Sequence, residues 1–351
     1  MSKFFSNNFK NLTPYTPGEQ PQERKYIKLN TNESPFPPSP IAQRMAREEA
    51  GNLQLYSDPE VGPLKKMAAQ KFGVPEECLI FSNGSDELIN FAVKAFCDDE
   101  HTLIFPDITY GFYSVYANLN HIPYTEKPLR EDFTIDTSDY TNCGKTVLLA
   151  NPNAITGVAL PLTEIENIVK TNPGNVVIID EAYVDFGGES ALPLIEKYDN
   201  LLVIGTLSKS RSLAGARVGF AAGSKELIKD LNTIRYSIHP YNVNRMSMQA
   251  AVGALADEDY FKRNCEKIKA NRAYTVSELK RLGFTMTDSS ANFILAKTDK
   301  MSGLKLYQTL KENGILVRHF ETPRLSPYNR ITIGSAEEMA AFIETLEKIL
   351  P

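Results

Sequence analysis

The chain has 351 residues, a formal net charge of -5, 42% hydrophobic residues and 23% charged residues. The length suits one large domain and a smaller one, and the composition is typical of a globular protein. The small negative charge favours neither nucleic acid nor a membrane surface as a partner. The N-terminus is polar and no apolar run is long enough to span a bilayer, so we predict neither a signal peptide nor a transmembrane helix. The cysteines are Cys78, Cys97, Cys143 and Cys265. They form no CxxC pair, so we expect reduced thiols in a cytoplasmic protein and no metal site.

Residues 11–40 are rich in Pro, Asn and Thr, which predicts an extended arm, followed by a helix over 41–50. Further on, short apolar runs alternate with segments of helical periodicity. The predicted strands cover 78–82, 102–105, 146–150, 176–179 and 201–205, and predicted helices cover 86–96 and 162–171. This alternation predicts an α/β fold with a mostly parallel central sheet covered by helices on both faces. In such sheets, ligands bind beyond the carboxyl ends of the strands.

After residue 243 the pattern changes. Two helical stretches cover 243–282, and the remainder predicts strands at 292–296, 315–317 and 330–333 with helices at 303–312 and 336–349. This part predicts a smaller C-terminal α/β domain that packs with the N-terminal segment, because chain ends often meet. We therefore divide the chain into an arm with a small-domain segment (1–50), a large domain (51–245) and a small domain with linking helices (246–351).

Lys209 follows the predicted strand 201–205 within Thr206-Leu-Ser208-Lys209, which places it at the rim of the sheet. A lysine amine in such a place can condense with an aldehyde to form an imine. For a lone lysine, a solvated surface position is the commoner interpretation. Arg217 lies eight residues further on, among small residues, and its planar fork suits a phosphate. An ordinary surface turn is the alternative.

Asp180 and Tyr183 directly follow the predicted strand 176–179. A carboxylate there could pair with a pyridine nitrogen and keep it protonated, and the phenol could donate to the phenolic oxygen of the same ring. A helix-capping aspartate with a packing tyrosine is the alternative. Tyr110 follows another strand, where it could stack on a flat cofactor or simply lie in the core.

Gly84, Ser85 and Asp86 follow the predicted strand 78–82 and open a helix. Free N–H groups at the start of a helix attract anions, typically by about 0.3–1 kcal/mol, so this turn could hold a phosphate. A plain Ser/Asp cap explains the same residues equally well.

Taken together, these residues resemble the fold-type I aminotransferases that depend on pyridoxal 5′-phosphate (PLP), over nearly the whole chain. The resemblance rests on Thr206–Lys209 with Arg217 at its offset, on Asp180–Tyr183 and on the segment 151–157. It implies that Lys209 holds PLP as an imine and then moves a proton between substrate and cofactor. Asp180 would pair with the pyridine nitrogen, Tyr183 with the phenolate oxygen, and Tyr110 would stack on the ring.

The same resemblance makes 51–245 the PLP-binding domain and implies a phosphate site, formed by Gly84, Ser85, Asp86, Thr206, Ser208 and Arg217. Tyr56 is similar to the tyrosine that reaches the cofactor phosphate of the neighbouring subunit, which implies a homodimer with shared active sites. Within the family, the segments 14–18 and 28–35 resemble the branch that transaminates histidinol phosphate, a phosphorylated amino alcohol, with 2-oxoglutarate in histidine biosynthesis.

This branch implies that the substrate contacts Tyr15, Asn32, Arg318 and Arg330. Two arginines and a tyrosine suit a dianionic phosphate, and Arg330 must also accept the carboxylate of glutamate. A surface salt bridge is the alternative for Arg318. Aromatic aminotransferases and threonine-phosphate decarboxylases on the same scaffold are alternative functions. A non-catalytic binding protein is disfavoured because both the lysine and the aspartate are present.

The chain departs from the family pattern at Asn153-Ala154-Ile155-Thr156-Gly157, where the family usually reads Asn-Asn-Pro-Thr-Gly. The family's asparagine before proline donates to the phenolate oxygen, and Ala154 has no donor. Either Asn153 substitutes for it or Tyr183 acts alone. Loss of the donor is expected to raise the pKa of the imine.

Overall fold

The structure is a computed structural model that describes residues 2–351. Its strands are β1 Ile27–Lys28, β2 Leu79–Ser82, β3 Leu103–Pro106, β4 Tyr124–Lys127, β5 Thr146–Ala150, β6 Val177–Asp180, β7 Leu201–Thr206, β8 Gly219–Gly223, β9 Phe284–Met286, β10 Phe293–Thr298, β11 Ile315–Leu316, β12 Arg318–His319 and β13 Asn329–Thr332. Its α-helices are α1 Pro40–Glu49, α2 Gly62–Phe72, α3 Ser85–Phe96, α4 Phe112–Leu119, α5 Leu162–Thr171, α6 Lys225–Ile238, α7 Arg245–Ala256, α8 Glu258–Arg281, α9 Gly303–Glu312 and α10 Ala336–Ile349.

Seven strands form the central sheet in the order β2-β8-β7-β6-β5-β3-β4. The neighbours from β7 to β4 are parallel, whereas β8 runs antiparallel to both β2 and β7. Every residue of β5, β6 and β7 is buried, which explains their continuous apolar runs, because helices cover both faces of the sheet. The predicted mostly parallel sheet is confirmed.

The parallel strands bring the predicted motifs to one edge of this sheet. Asp180 ends β6 and is paired in register with Ile204 of β7, so the loop that carries Lys209 starts beside it. Asn151, the first residue after β5, donates its backbone N–H to the carbonyl of Asp180. Consecutive strand ends therefore supply the lysine, the aspartate and the segment around Ala154.

A second, antiparallel sheet has the order β12-β13-β10-β9 and packs with α8, α9 and α10. The chain ends meet as expected, because β1 pairs in parallel with β11 and the Leu29 carbonyl accepts the backbone N–H of Thr332. Ser335 and Glu338 form a capping box that fixes the start of α10. The division into 1–50, 51–245 and 246–351 stays a prediction.

Among residues 2–351, no helix is long and apolar enough to cross a membrane. The same residues contain no cluster of His, Cys, Asp or Glu placed to hold a metal ion, and all four cysteines are free.

Candidate active site

Lys209 lies in the loop after β7 and faces a cavity of about 870 Å³ between the two sheets. Its Nζ donates to the carbonyl oxygen of Thr31 at 3.3 Å and lies 5.7 Å from the centre of the Tyr183 ring. The cavity brings together seven of the predicted site residues, namely Tyr15, Asn32, Tyr110, Tyr183, Lys209, Arg318 and Arg330. The lysine is therefore accessible to a ligand whose flat ring could lie between tyrosines.

Asp180 lies behind this cavity and is only 4% exposed. The hydroxyl of Tyr113 donates to its Oδ2 at 2.9 Å, and the backbone N–H of Ala182 donates to its Oδ1 at 3.2 Å. Burial raises the pKa of Asp180 to about 6, while these hydrogen bonds and the nearby charge of Lys209 act to lower it. A positively charged partner, such as a protonated pyridine nitrogen, would stabilise the carboxylate further.

Tyr113 was not among the predicted site residues, although it links Asp180 to the cavity wall. Its ring packs edge-on against Tyr110, with the ring centres 5.8 Å apart. It follows Tyr110 by three residues in the turn that starts α4. The backbone N–H of Tyr113 donates to the Tyr110 carbonyl at 3.1 Å, and this one-turn spacing is the signal that could have identified Tyr113.

The start of α3 forms a concave surface that fits an anion. Gly84 has φ +86° and precedes a helix of 12 residues that receives no side-chain cap, so the first N–H groups are open to a ligand. Arg217, in the left-handed conformation with φ +55°, lies over this turn. A Cβ at Gly219 would collide with the backbone of Ser85, so glycine is required where β8 approaches the turn. The residues present therefore fit a phosphate group.

Asp86 has a different contact from the one predicted. Its Oδ2 forms a 2.9 Å ion pair with Nη2 of Arg217, and its Oδ1 accepts a 2.7 Å hydrogen bond from the hydroxyl of Tyr110. The carboxylate therefore orients Arg217 and Tyr110, and the backbone N–H groups are the ones that suit an anion. Nearby, the hydroxyl of Thr206 donates to that of Ser208 at 2.9 Å.

Tyr183 and Asn32 are joined by a hydrogen bond in which Asn32 Nδ2 donates to the tyrosine hydroxyl at 3.0 Å. The Oδ1 of Asn32 accepts from the hydroxyl of Thr332, also at 3.0 Å. Asn32 lines the cavity, but both ends of its amide already have protein partners, and its predicted contact with the substrate stays a prediction. Sequence reasoning could not identify Thr332, because it lies 300 residues away on β13.

Asn153 does not line the cavity. Its Nδ2 donates to the carbonyl of Ile108 at 2.9 Å, and its Oδ1 accepts the backbone N–H groups of Ile155 and Thr156. The side chain therefore fixes the conformation of its own loop.

Arg330 points into the cavity, and none of the described acidic side chains forms an ion pair with it. Its Nη1 donates to the carbonyl of Ala154 at 3.0 Å, and its Nε has no partner in the described residues. Burial lowers the pKa of this guanidinium, because its charge has lost water without gaining a counter-ion. An anionic ligand would supply that counter-ion.

Arg318 and Tyr15 connect the cavity to the N-terminal arm. Arg318 donates to the carbonyls of Thr16 and Pro17 at 3.1 and 3.2 Å, and the Tyr15 ring stacks on Phe112 at 4.2 Å. The arm thus covers the outer part of the cavity.

Tyr56, like Asn153 and the residues of the predicted phosphate site, does not line the cavity. Its side chain is 81% exposed and stacks on Tyr241 with the ring centres 4.8 Å apart. Any contact with a cofactor phosphate would therefore require a second copy of the chain.

Residues 24–346 match the family described as aminotransferase class I and II. This chain belongs to that family. It is 47% identical to a histidinol-phosphate aminotransferase of Clostridium botulinum over 351 residues, which is 100% of this chain and 99% of that protein. It is 46% identical to a histidinol-phosphate aminotransferase of Brachyspira hyodysenteriae, with the same coverage.

Among solved structures, the chain is similar to the histidinol-phosphate aminotransferase of Sinorhizobium meliloti in complex with pyridoxal-5′-phosphate. The TM-score is 0.88, with 23% identity and 99% coverage of both chains. This likeness shows the fold. The predicted family and fold-type I architecture are confirmed.

Proposed function

We propose that this chain is a PLP-dependent transaminase that converts histidinol phosphate and 2-oxoglutarate to imidazole acetol phosphate and glutamate in histidine biosynthesis. The observation that carries the proposal is the position of the Lys209 amine, which shares a cavity with Arg330, a guanidinium whose Nε has no hydrogen-bond partner among residues 2–351. The family and the names of the full-length relatives support the same reaction. Nothing in these relatives favours an aromatic aminotransferase or a threonine-phosphate decarboxylase.

PLP, when bound, supplies a ring that accepts electrons from the reacting carbon of the substrate. The open N–H groups at the start of α3 and Arg217 would hold its phosphate, together with the hydroxyls of Ser85, Thr206 and Ser208. Asp180, kept charged with help from Tyr113, would face the ring nitrogen. Tyr110 would cover one face of the ring, and the Tyr183 hydroxyl would donate to its phenolate oxygen.

Lys209 would carry out the proton transfer at the reacting carbon. The Thr31 carbonyl, 3.3 Å from Nζ, gives the amine a fixed resting position on the cavity side of the strand end. Arg330, with Arg318 and Tyr15 further out, would bind the phosphate of one substrate and a carboxylate of the other. Closure of the arm around Tyr15 would exclude water from the reacting atoms.

The substrate assignment is tested by following the absorbance of the PLP-loaded enzyme in a stopped-flow instrument. Histidinol phosphate, glutamate and phenylalanine are added separately. The proposal predicts that histidinol phosphate and glutamate each convert the cofactor to its amine form, at rates well above that for phenylalanine. Conversion by phenylalanine alone would contradict it.

We also propose a cytoplasmic homodimer with shared active sites. Exposed apolar side chains close to Tyr56 in sequence, Leu53 and Leu55, support a contact surface, and the four free cysteines are consistent with a reducing compartment.

Mixing two inactive variants tests the shared site. If Tyr56 acts in the neighbouring subunit, a mixture of Lys209→Ala and Tyr56→Ala forms hybrid dimers with one intact site, and activity returns. As the control, Lys209→Ala mixed with Asp180→Ala should stay inactive if those residues act in one chain. No recovery in the first mixture would contradict the shared site.

A further inference from the structure

We propose that Asn32, held by Thr332, orients and strengthens Tyr183 as the donor to the phenolate oxygen of PLP. This arrangement would take the place of the donor that the chain lacks at Ala154. The inference rests on the proposed function, because it assigns roles at the same site.

The loop after β5 offers no replacement donor of its own. Ala154 carries only a methyl group, and its carbonyl oxygen accepts from Arg330. Asn153 is 2% exposed and uses its amide for hydrogen bonds to Ile108, Ile155 and Thr156. A donor for the phenolate oxygen must therefore come from another part of the chain.

The hydrogen bonds around Asn32 form one connected set that runs from Thr332 to Tyr183. The backbone N–H of Asn32 donates to Oγ1 of Thr332 at 3.0 Å, so the threonine hydroxyl proton must point elsewhere. That proton goes to Oδ1 of Asn32, again at 3.0 Å, which sets the orientation of the amide. With the amide in this orientation, Nδ2 faces Tyr183 and donates to its hydroxyl oxygen.

A hydroxyl whose oxygen accepts a hydrogen bond points its own proton away from that donor and becomes a better donor itself. The Tyr183 ring is also held in place, edge-on to Phe293 with the ring centres 5.1 Å apart. Tyr183 lines the cavity close to Lys209. Its proton is thus available to an acceptor in the cavity next to the lysine.

Asn32 itself is rigid. It is 1% exposed, has φ +56°, which asparagine tolerates better than most residues, and its carbonyl accepts from Nδ2 of Asn292 at 3.0 Å. Asn292, which precedes β10, therefore holds the main-chain carbonyl of Asn32, and Thr332, at the end of β13, holds its side-chain amide. Such support indicates a positioning role for Asn32.

The test uses the PLP-loaded enzyme without substrates and measures the midpoint pH at which the visible band of the bound cofactor changes. A donor to the negatively charged phenolate oxygen weakens the hold on the proton shared with Lys209, so its loss moves the midpoint upward. Tyr183→Phe should shift it by about one pH unit or more, and Asn32→Ala by roughly half a unit.

Two comparisons separate this role from a structural one. Thr332→Val should reproduce the upward shift, whereas Thr332→Ser, which keeps the hydroxyl, should retain the midpoint of the unmodified enzyme. In the Tyr183→Phe background, Asn32→Ala should add nothing, because its effect passes through the tyrosine hydroxyl. The double variant also keeps the test informative if Thr332→Val does not fold.

An unchanged midpoint in Asn32→Ala, or an equal shift with and without the Tyr183 hydroxyl, would overturn the inference. The proposed function fails in a different way, by the absence of a visible band on addition of PLP or by unreactive histidinol phosphate. Since no substrate is present in the titration, the two failures are distinguishable.

Discussion

Replacing Tyr113 by phenylalanine removes one hydroxyl, which donates at 2.9 Å to the buried carboxylate of Asp180. A hydrogen bond to a charged group contributes about 1.5–3 kcal/mol. At 1.36 kcal/mol per pKa unit, its loss should raise the pKa of Asp180 by about one to two units. Because burial already raises this pKa to about 6, much of the carboxylate would then be protonated near pH 7 in the absence of cofactor.

A protonated Asp180 cannot form an ion pair with a pyridinium nitrogen, so Tyr113→Phe should bind PLP more weakly. The assay is a PLP titration followed by absorbance between pH 6 and 9. We expect affinity to fall by roughly tenfold at pH 7 and to recover as the pH rises. Tyr140→Phe is the matched control, since Tyr140 is as deeply buried as Tyr113 but its hydroxyl forms no hydrogen bond with Asp180. If Tyr113→Phe, like Tyr140→Phe, binds PLP with the pH dependence of the unmodified enzyme, the Tyr113 hydroxyl does not keep Asp180 charged.

Three further predictions concern Glu181, Arg330 and Gly84. Burial raises the pKa of Glu181 to about 8 from its usual 4.5. Between these two pH values the native state holds a proton that the unfolded state has released. The free energy of unfolding therefore falls as the pH rises from about 5 to 8. In urea unfolding, Glu181→Gln should reduce the fall of the free energy of unfolding with pH by up to about 1.4 kcal/mol per pH unit. Equal pH slopes for the variant and the unmodified protein would contradict this. Arg330→Lys loses the planar fork and should raise the KM for 2-oxoglutarate by about 10- to 100-fold, with an unchanged KM as the contrary result. Gly84→Ala places a Cβ against the guanidinium of Arg217 at φ +86° and should weaken PLP binding by at least about tenfold, whereas Gly174→Ala, which meets no atom within 4 Å, should bind PLP normally.

The sequence predicted those elements whose local signals agree with their packing. The strand at 146–150 and the helices at 162–171, 303–312 and 336–349 lie where they were expected. For α9 and α10, Ser302 and Ser335 cap the first turn, which marks the start of each helix. Where the capping residue, the apolar periodicity and the length of a segment all indicate the same element, its bounds can be predicted from its own residues.

The strand β8 was not predicted. It reads Gly-Phe-Ala-Ala-Gly, and neither glycine nor alanine favours a strand. It forms because β2 and β7 hydrogen-bond to it on both sides, which is information that a local pattern does not contain. The polar edge strand β4 and the helix α6 were missed as well.

The candidate site shows the same division. Lys209, Asp180 and Tyr110 each follow a predicted strand. Because the carboxyl ends of parallel strands meet at one edge of a sheet, the alternation of strands and helices in the sequence was enough to predict that these residues lie near one another. The contact from Thr332 to Asn32 joins distant parts of the chain. The hydrogen bonds of Asn153 within its own loop depend on the exact backbone conformation. Neither of these two features could be predicted from the sequence.

The chemistry of Lys209 is the claim on which the proposed function depends, and covalent trapping tests it most directly. The PLP-loaded enzyme is treated with borohydride, digested and mapped by mass spectrometry. We expect the reduced cofactor to be attached to the peptide containing Lys209 and to no other lysine, and we expect Lys209→Ala to take up no label. Attachment at a different lysine, or labelling that persists in Lys209→Ala, would contradict it.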